Sequence, residues 1–544
     1  MGGDSVALHR IRGWLGALVA FSLLVTACGS QSSDPPTAGG PSGSGAAGQS
    51  DGTLTVALAF DPKLFNTNYI YDGYAYYADR NIYSKLVSYD YATGELVGDL
   101  ATEWKASEDY KTYTFKLRTG VTWHDGQPFD SADVVWTLQD LIDAGDNAYA
   151  HSYVANVESV TAPDAQTVVV KMKKPDAVWV TSIANYYGPI ILAEHIYKGT
   201  KAADNSANHK PIGTGPYKFV SHAAGDRIVM ERNPDYFGQV AGIKNLVFRI
   251  IADRGTATAA LEAGEIDYMA VSPAFGDVQR LESTQGIKVT PTKSNIPMWV
   301  AFNLENPILS KVQVREAIGH AIDTNQMNTQ VYQGRAVAST GQYLSYNWAF
   351  EPKALQPAHD VALANKMLDE AGYPRGADGV RFKLRYHAWR ASIFGGFELA
   401  QVMKEQLKAV GIDLTVMLND YALFSDIVVK KRDFDLTGIG GLWGPDPQAM
   451  TTYVVTDAPQ NVMKYSNKQV DQLFADARLV ADVEAQKKVY SEIQLQLAKD
   501  IPKLNLVEYT YFRPTRSNLS GLWWEDGSGK RGIFQDMYNG VTRS

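Results

Sequence analysis

The chain has 544 residues, of which 45% are hydrophobic, 20% are charged and 11% are aromatic, and its formal net charge is −8. A chain of this size exceeds what one hydrophobic core usually supports, so we expect at least two lobes. The acidic balance and the lack of basic runs argue against nucleic acid as a partner.

The first residues have the pattern of a secretory signal peptide. Arg10 and Arg12 precede an apolar stretch over residues 14–25, which is shorter than the roughly 20 residues of a membrane-spanning helix. Cys28, the only cysteine of the chain, follows at the first mature position, as in a lipoprotein signal. We expect Cys28 to carry a lipid, and an ordinary signal peptide or a short membrane anchor is the alternative. Removal of residues 1–27 takes away one acidic and two basic residues, which moves the net charge from −8 to −9.

The segment 28–50 consists almost entirely of small and polar residues, which predicts a disordered tether. Strands are predicted where apolar residues alternate with polar ones, at 53–58, 113–117 and 167–172. Asp130 or Ser131 is placed to cap a helix that continues to about Leu141.

The C-terminal half has a more regular pattern. A helical stripe at 361–371 precedes alternating strands at 381–386, 412–418 and 434–439, which are separated by helices at 399–410 and near 421–430. This β-α-β-α-β layout predicts a mainly parallel sheet. Two further helices are predicted at 468–480 and 483–499. The fold class is therefore α/β, with two lobes.

The sequence offers no catalytic constellation. It lacks the motifs of serine hydrolases and zinc proteases, and its nine histidines are scattered singly. His124 and Asp125 lie in the run Trp-His-Asp-Gly, but a glycine after an aspartate just past a strand is typical of a turn. Gly213-Thr-Gly-Pro lacks the lysine of a phosphate-binding loop and is also predicted to be a turn. We expect no enzymatic activity, no cofactor and no metal site.

Several motifs, in a fixed order, resemble those of the family-5 extracellular solute-binding proteins of ABC importers, the group that binds oligopeptides, dipeptides and nickel. The resemblance covers roughly residues 53–515 and rests on the following stretches: Ala101 to Asp109, Tyr113 to Phe129, Ala132-Asp-Val134, Gly213 to Tyr217, Glu231 to Phe237, Ala263 to Asp267, Phe302-Asn303, Val314 to Ile318 and Glu370 to Pro374.

The resemblance implies a two-lobed periplasmic-binding-protein-like fold of the large class, with a hinge and a cleft between the lobes. Lobe I would comprise about 51–300, with an inserted subdomain near 90–200, and the return segment 510–544; lobe II would comprise 301–509. The hinge crossings would fall near Val300–Asn303 and Val507–Thr510. The implied partners are an ABC permease and its ATPase, and we expect a monomer held at the extracytoplasmic face of the cell membrane.

The resemblance also implies ligand-binding residues. In the peptide-binding members a cleft aspartate three residues after a tryptophan receives the ligand amine, and Trp443 and Asp446 have that spacing. An aspartate before a proline also opens turns, so both roles stay open for Asp446. The stretch that ends at Ser272 replaces asparagines that contact the peptide backbone, and no arginine precedes Trp443. Asn303, at the first predicted hinge crossing, and Ser272 are further candidates for ligand contact.

Aromatic residues are abundant near the predicted cleft. Tyr71 and Tyr74 belong to a tyrosine-rich stretch after the first strand, and Trp299 and Trp389 lie near predicted loops and the hinge. Arg390 could supply the missing partner for a ligand carboxylate. The preferred reading is a lipid-anchored peptide receptor. The alternatives are a receptor for an oligosaccharide or an opine-like solute, a secreted hydrolase, and a lipoprotein that binds without transport.

Overall fold

The computed structural model describes residues 50–544 apart from 71, 91–92, 390–394, 441–445 and 526–535. The predicted signal peptide, Cys28 and the predicted tether up to residue 49 lie outside the described residues. In the part of the chain that is described, every helix is too short or too polar to span a bilayer.

Strands and helices alternate along the described residues. The strands are β1 (Ser50–Leu58), β2 (Val87–Tyr89), β3 (Leu96–Gly98), β4 (Ala101–Ala106), β5 (Thr112–Leu117), β6 (Val157–Asp164), β7 (Thr167–Met172), β8 (Tyr217–Ala223), β9 (Arg227–Arg232), β10 (Ile243–Ile250), β11 (Tyr268–Met269), β12 (Ile287–Phe302), β13 (Val337–Ala338), β14 (Phe382–Trp389), β15 (Ile412–Asn419), β16 (Leu436–Gly440), β17 (Lys503–Arg516), β18 (Leu519–Ser520) and β19 (Thr542–Arg543). The α-helices are α1 (Ala75–Ile82), α2 (Ser131–Ala144), α3 (His151–Val154), α4 (Trp179–Ala184), α5 (Glu194–Tyr197), α6 (Arg254–Ala263), α7 (Phe275–Glu282), α8 (Val312–Ala321), α9 (Thr324–Tyr332), α10 (Val361–Glu370), α11 (Gly396–Ala409), α12 (Tyr421–Phe424), α13 (Thr451–Val454), α14 (Lys468–Ala477) and α15 (Val483–Asp500). A π-helical segment, Ser425–Lys431, continues α12, and a 3₁₀ turn, Pro447–Met450, precedes α13.

One large mixed sheet forms the centre of the fold. Its strands follow the order β15-β14-β16-β12-β17-β11-β1-β10-β9-β8, and β13 pairs with β17. We call lobe I the part built on β1 and β8–β11, together with the small antiparallel sheet β4-β5-β7-β6. We call lobe II the part built on β14–β16. The long strands β12 and β17 are antiparallel and run through both lobes.

The local predictions are largely confirmed. Apolar alternation places Leu54, Val56 and Leu58 of β1 in the core, each with 0% exposure. Asp130 caps α2 through a capping box with Asp133. Strand β14 is parallel to both β15 and β16, as the β-α-β-α-β pattern predicts. The sheet is mixed rather than mainly parallel, because β12 joins β16 in the antiparallel sense.

The passage between the lobes runs along β12 and β17. Their pairing is irregular between Lys293 and Pro297, opposite Thr510 and Glu508. This irregularity lies a few residues before the predicted crossing at Val300–Asn303. The crossing positions and the lobe boundaries 51–300, 301–509 and 510–544 stay predictions.

Two motifs that the sequence singled out pack against each other. The Nδ1 atom of His124 accepts a hydrogen bond from the Gly213 N–H at 3.2 Å, and its Nε2 atom lies 3.0 Å from the Gly215 carbonyl oxygen. A Cβ atom on Gly213 would lie 1.9 Å from the carbonyl oxygen of Ile82. Gly213 therefore lets the end of α1 approach closely. The Asp125 carboxylate accepts a hydrogen bond from the Gln127 N–H, which forms the turn that the glycine after Asp125 predicts.

Candidate functional site

The carboxyl ends of the parallel strands in the two lobes point toward each other. Strand β17 runs from lobe II to lobe I. It begins at Lys503, which pairs with Ala301 beside β16 of lobe II, and near its end Thr515 pairs with β11 of lobe I. Strand β12 is antiparallel to β17, and β14–β16 are antiparallel to β12, so β14–β16 run toward lobe I. Strand β11 is antiparallel to β17, and β1 and β10 follow β11, so all three run toward lobe II. Ligands of open α/β sheets bind beyond the carboxyl ends of strands, so this is the candidate site.

On the lobe I side, aromatic rings follow the end of β1. Phe60 lies two residues after β1, its side chain is 51% exposed, and its ring centre is 5.0 Å from that of Tyr74. Tyr74 in turn stacks on Tyr77 at 6.3 Å, and the Tyr77 hydroxyl donates to the carbonyl oxygen of Ala270. Burial, and then the charge of Asp72, raises the pKa of Tyr74 to about 12, so its hydroxyl stays protonated at neutral pH. Tyr71 lies outside the described residues.

On the lobe II side, a second aromatic pair stands at the ends of neighbouring strands. Trp389 is the last residue of β14, and its ring centre lies 5.1 Å from that of Tyr421, which follows β15. The Tyr421 side chain is 61% exposed. Each lobe thus presents an aromatic pair, with one strongly exposed ring, at the carboxyl ends of its parallel strands. Arg390 lies outside the described residues.

His387 lies two residues before Trp389 and is 2% exposed. Its Nδ1 atom accepts a hydrogen bond from the Asn419 side-chain amide at 3.0 Å. This contact fixes the tautomer that carries a proton on Nε2, and Nε2 is buried without a partner among the described residues. Burial lowers the pKa of His387, which keeps the ring neutral. The ring therefore offers one N–H donor close to the Trp389 end of β14.

Asp446 follows the exit of β16 and begins the 3₁₀ turn Pro447–Met450. Its carboxylate accepts from the Gln448 N–H at 2.9 Å, so the turn-opening role is observed. Burial raises the pKa of Asp446, and the nearby guanidinium of Arg478 opposes that effect. A second carboxylate oxygen remains for another partner. Trp443 lies outside the described residues.

Three other predicted residues occupy hydrogen-bonded or packed positions on or beside β12 and β17, the strands that connect the lobes. Trp299 has 0% exposure and packs edge-on against Tyr453 at 5.6 Å. The Asn303 amide donates to the Phe434 carbonyl oxygen at 2.8 Å. The Ser272 hydroxyl accepts from the Phe512 N–H at 3.2 Å. Their assignment to ligand contact stays a prediction, and in this structure they hold the strands that surround the site.

Phe60 and Tyr421 are the site residues that sequence reasoning missed. Phe60 follows the predicted strand 53–58 by two residues and Tyr421 follows the predicted strand 412–418 by three, and that position was the available signal. Among the described residues, no three histidine, cysteine or carboxylate side chains lie together as metal ligands would.

The fold and the opposed strand ends define a two-lobed binding protein. The family model of bacterial extracellular solute-binding proteins, family 5 Middle, matches residues 95–462, and the chain belongs to this family. Its members are solute-binding components. The chain is 30% identical over 397 residues to a putative ABC transporter peptide-binding protein of Brucella ovis. The matched region covers 70% of this chain and 73% of that protein.

Two further comparisons cover nearly the whole chain. The oligopeptide-binding protein AppA of Bacillus subtilis is 26% identical over 545 residues, 96% of this chain and 97% of that protein. The structure of the periplasmic binding protein DppA from Helicobacter pylori in complex with the peptide STSA has a TM-score of 0.78 at 24% identity and covers 90% of this chain and 98% of that one. This likeness shows the fold, which is the two-lobed periplasmic-binding-protein fold that the sequence predicts.

Proposed function

We propose that this protein is the substrate receptor of an ABC importer and that it captures a short peptide between its lobes. The observation that carries this proposal is the opposition of the parallel-strand ends in a chain of family 5, with one aromatic pair on each side. The relatives named as peptide-binding proteins support the choice of ligand. Hinge closure would enclose the peptide and present one combined surface to a permease.

In this proposal Asp446 receives the α-ammonium group of the peptide. The side chain is partly buried and has one carboxylate oxygen bound to the Gln448 N–H, so an ammonium group would pair with the other oxygen. A charge-assisted bond of this kind fixes the direction in which a peptide lies. The aromatic pairs Phe60–Tyr74 and Trp389–Tyr421 would pack against peptide side chains, since exposed rings offer large apolar surfaces at low entropic cost.

The proposal is tested by calorimetric titration of the mature chain with di- to pentapeptides, and with cello-, xylo- and malto-oligosaccharides as competing ligand classes. A peptide that binds is then compared with its N-acetylated form. Acetylation should weaken binding roughly tenfold to a hundredfold, since a hydrogen bond to a charged group contributes about 1.5–3 kcal/mol. In Asp446→Asn the two forms should bind alike, because the carboxylate that distinguishes them is gone.

The matched control is Asp360→Asn, which removes another aspartate that caps a helix, on α10, through the Leu363 N–H. This variant should keep the full difference between free and acetylated peptide. The same difference in Asp446→Asn would contradict the role of Asp446. Binding of a saccharide without binding of any peptide would contradict the peptide as ligand.

We further propose that the mature chain is anchored at the extracytoplasmic face of the membrane through Cys28. Support comes from the position of the only cysteine directly after the apolar stretch 14–25. Metabolic labelling with an alkyne fatty acid should mark the wild-type chain and not Cys28→Ala, which should appear in the soluble fraction. Equal labelling of both chains would contradict the anchor.

A further inference from the structure

An ion pair joins the two lobes away from the strands that they share. Asp176 lies between β7 and α4 of lobe I, and Arg478 follows α14 of lobe II. The Arg478 guanidinium donates to a carboxylate oxygen of Asp176, and the Ala177 N–H donates to the Arg478 carbonyl oxygen at 2.7 Å. The contact involves neither β12 nor β17, so hinge motion about those strands can break it.

Lobe I holds Asp176 in a fixed position. Its side chain is 0% exposed, and its backbone N–H donates to the Tyr110 carbonyl oxygen at 3.2 Å. Its own carbonyl oxygen accepts from the Tyr113 hydroxyl and from the Trp179 N–H. The second carboxylate oxygen is buried and has no partner among the described residues. The segment thus presents a carboxylate whose cationic partner comes from the opposite lobe.

On the lobe II side, Arg478 faces a second carboxylate. Its charge lowers the pKa of Asp446, which burial raises and which the charge of Asp176 raises further. Burial, and then the charge of Asp446, raises the pKa of both Tyr343 and Tyr490. Arg478 therefore pairs with Asp176 of lobe I and lies close enough to Asp446 of lobe II for its charge to act on that carboxylate.

We propose that Arg478 and Asp176 form a closure latch, an ion pair that favours the closed arrangement of the lobes whichever solute is bound. The latch goes beyond the proposed function, since it depends on the two lobes and not on a peptide. It predicts that closure responds to salt, because the Arg478 side chain is 36% exposed and screening weakens exposed ion pairs. Loss of the pair should shift the closing equilibrium roughly 5- to 30-fold toward the open form.

The test measures the distance between two spin labels, one on each lobe, in the ligand-free mature chain. Cys28 is replaced by serine, and Glu108→Cys in lobe I and Glu484→Cys in lobe II provide exposed attachment points, two residues before Tyr110 and six residues after Arg478 in the sequence. Double electron–electron resonance should show a shift of the population toward longer distances in Arg478→Gln and in Asp176→Asn. The double variant should shift no further than either single variant, because both remove one interaction.

Arg385→Gln is the matched control, since Arg385 pairs with Asp433 and Asp435 within lobe II. It should leave the distance distribution unchanged. Circular dichroism and thermal unfolding identify any variant that fails to fold, and the second single variant then carries the comparison. Unchanged distances in the folded single variants, or additive shifts in the double variant, would overturn the latch. The readout needs no ligand, so it stays informative if peptides fail to bind.

Discussion

Acid should destabilise this protein through His124, a residue that the sequence places beside an aspartate and that the structure places in a backbone contact. The ring accepts a hydrogen bond from the Gly213 N–H at Nδ1 and lies 3.0 Å from the Gly215 carbonyl oxygen at Nε2. A protonated ring carries hydrogen on both nitrogens and cannot accept the first of these bonds. Protonation therefore breaks the contact that docks Gly213 near the end of α1.

The size of the loss in stability follows from the pKa of His124. Burial, with a smaller contribution from the charge of Lys218, lowers the pKa of His124 from 6.5 to about 4. The unfolded chain then binds this proton more tightly than the folded chain, so stability is lost as the pH falls from about 6.5 toward 4. Linkage gives a loss of about 2 kcal/mol between pH 7 and pH 5, and about 3 kcal/mol by pH 4, for this residue alone.

Two measurements check this expectation. Nuclear magnetic resonance of chains labelled at the histidine rings gives the pKa directly, with the His124 signal assigned by its absence in His124→Gln. Guanidinium unfolding at pH 7 and pH 5 gives the free energy of unfolding, and His124→Gln should lose about 2 kcal/mol less than the wild type over that interval. The control is His209→Gln, which changes an exposed histidine and should leave the acid dependence as it is.

A His124 ring that titrates near 6.5 would refute the reasoning from burial. So would a wild-type chain and a His124→Gln variant that lose equal free energy between pH 7 and pH 5. A lower stability of His124→Gln at pH 7 alone would not refute the reasoning, because the expected effect is on the pH dependence of the free energy of unfolding.

Two further predictions concern buried positions. Burial lowers the pKa of Lys503 to about 7, so the wild type should gain about 2 kcal/mol of stability between pH 7 and pH 9 as the folded chain ceases to hold a buried charge. Lys503→Met should lack this gain in unfolding titrations at the two pH values, and an equal gain in both chains would contradict the assignment. Gly213→Ala should destabilise the protein by at least about 2 kcal/mol, because the new methyl group would meet the Ile82 carbonyl oxygen. Gly73→Ala, where the added atom has nothing within 4 Å, is the control for thermal unfolding, and similar melting temperatures for the two variants would count against the close approach.

The sequence predicts the local structure because local structure depends on near neighbours. Alternation in 53–58 and the capping residue Asp130 depend only on near neighbours, and both elements form as predicted. The two glycine-containing turns are predicted on the same grounds. The antiparallel pairing of β12 with β16 was not predicted, because no local sequence pattern indicates it.

The candidate site was only partly within reach of the sequence. Trp389, Tyr74 and Asp446 were singled out. In the structure Trp389 ends β14, Tyr74 lies at the start of α1, and Asp446 lies at the start of the 3₁₀ turn Pro447–Met450. Phe60 and Tyr421 were missed, because an exposed aromatic residue and a buried one look the same in a sequence. Trp299 shows the reverse case, since a hinge-strand tryptophan proved to be fully buried.

The amino-acid pattern by itself determined the class of this protein: an α/β chain whose ordered motifs match a solute-binding family. Tertiary structure alone decided which surfaces meet. Asp176 and Arg478 are 302 residues apart, and they touch only because β12 and β17 carry the chain between the lobes. A sequence pattern indicates which side chains each segment buries. Which residue of the other lobe a side chain contacts depends on the path of the whole chain.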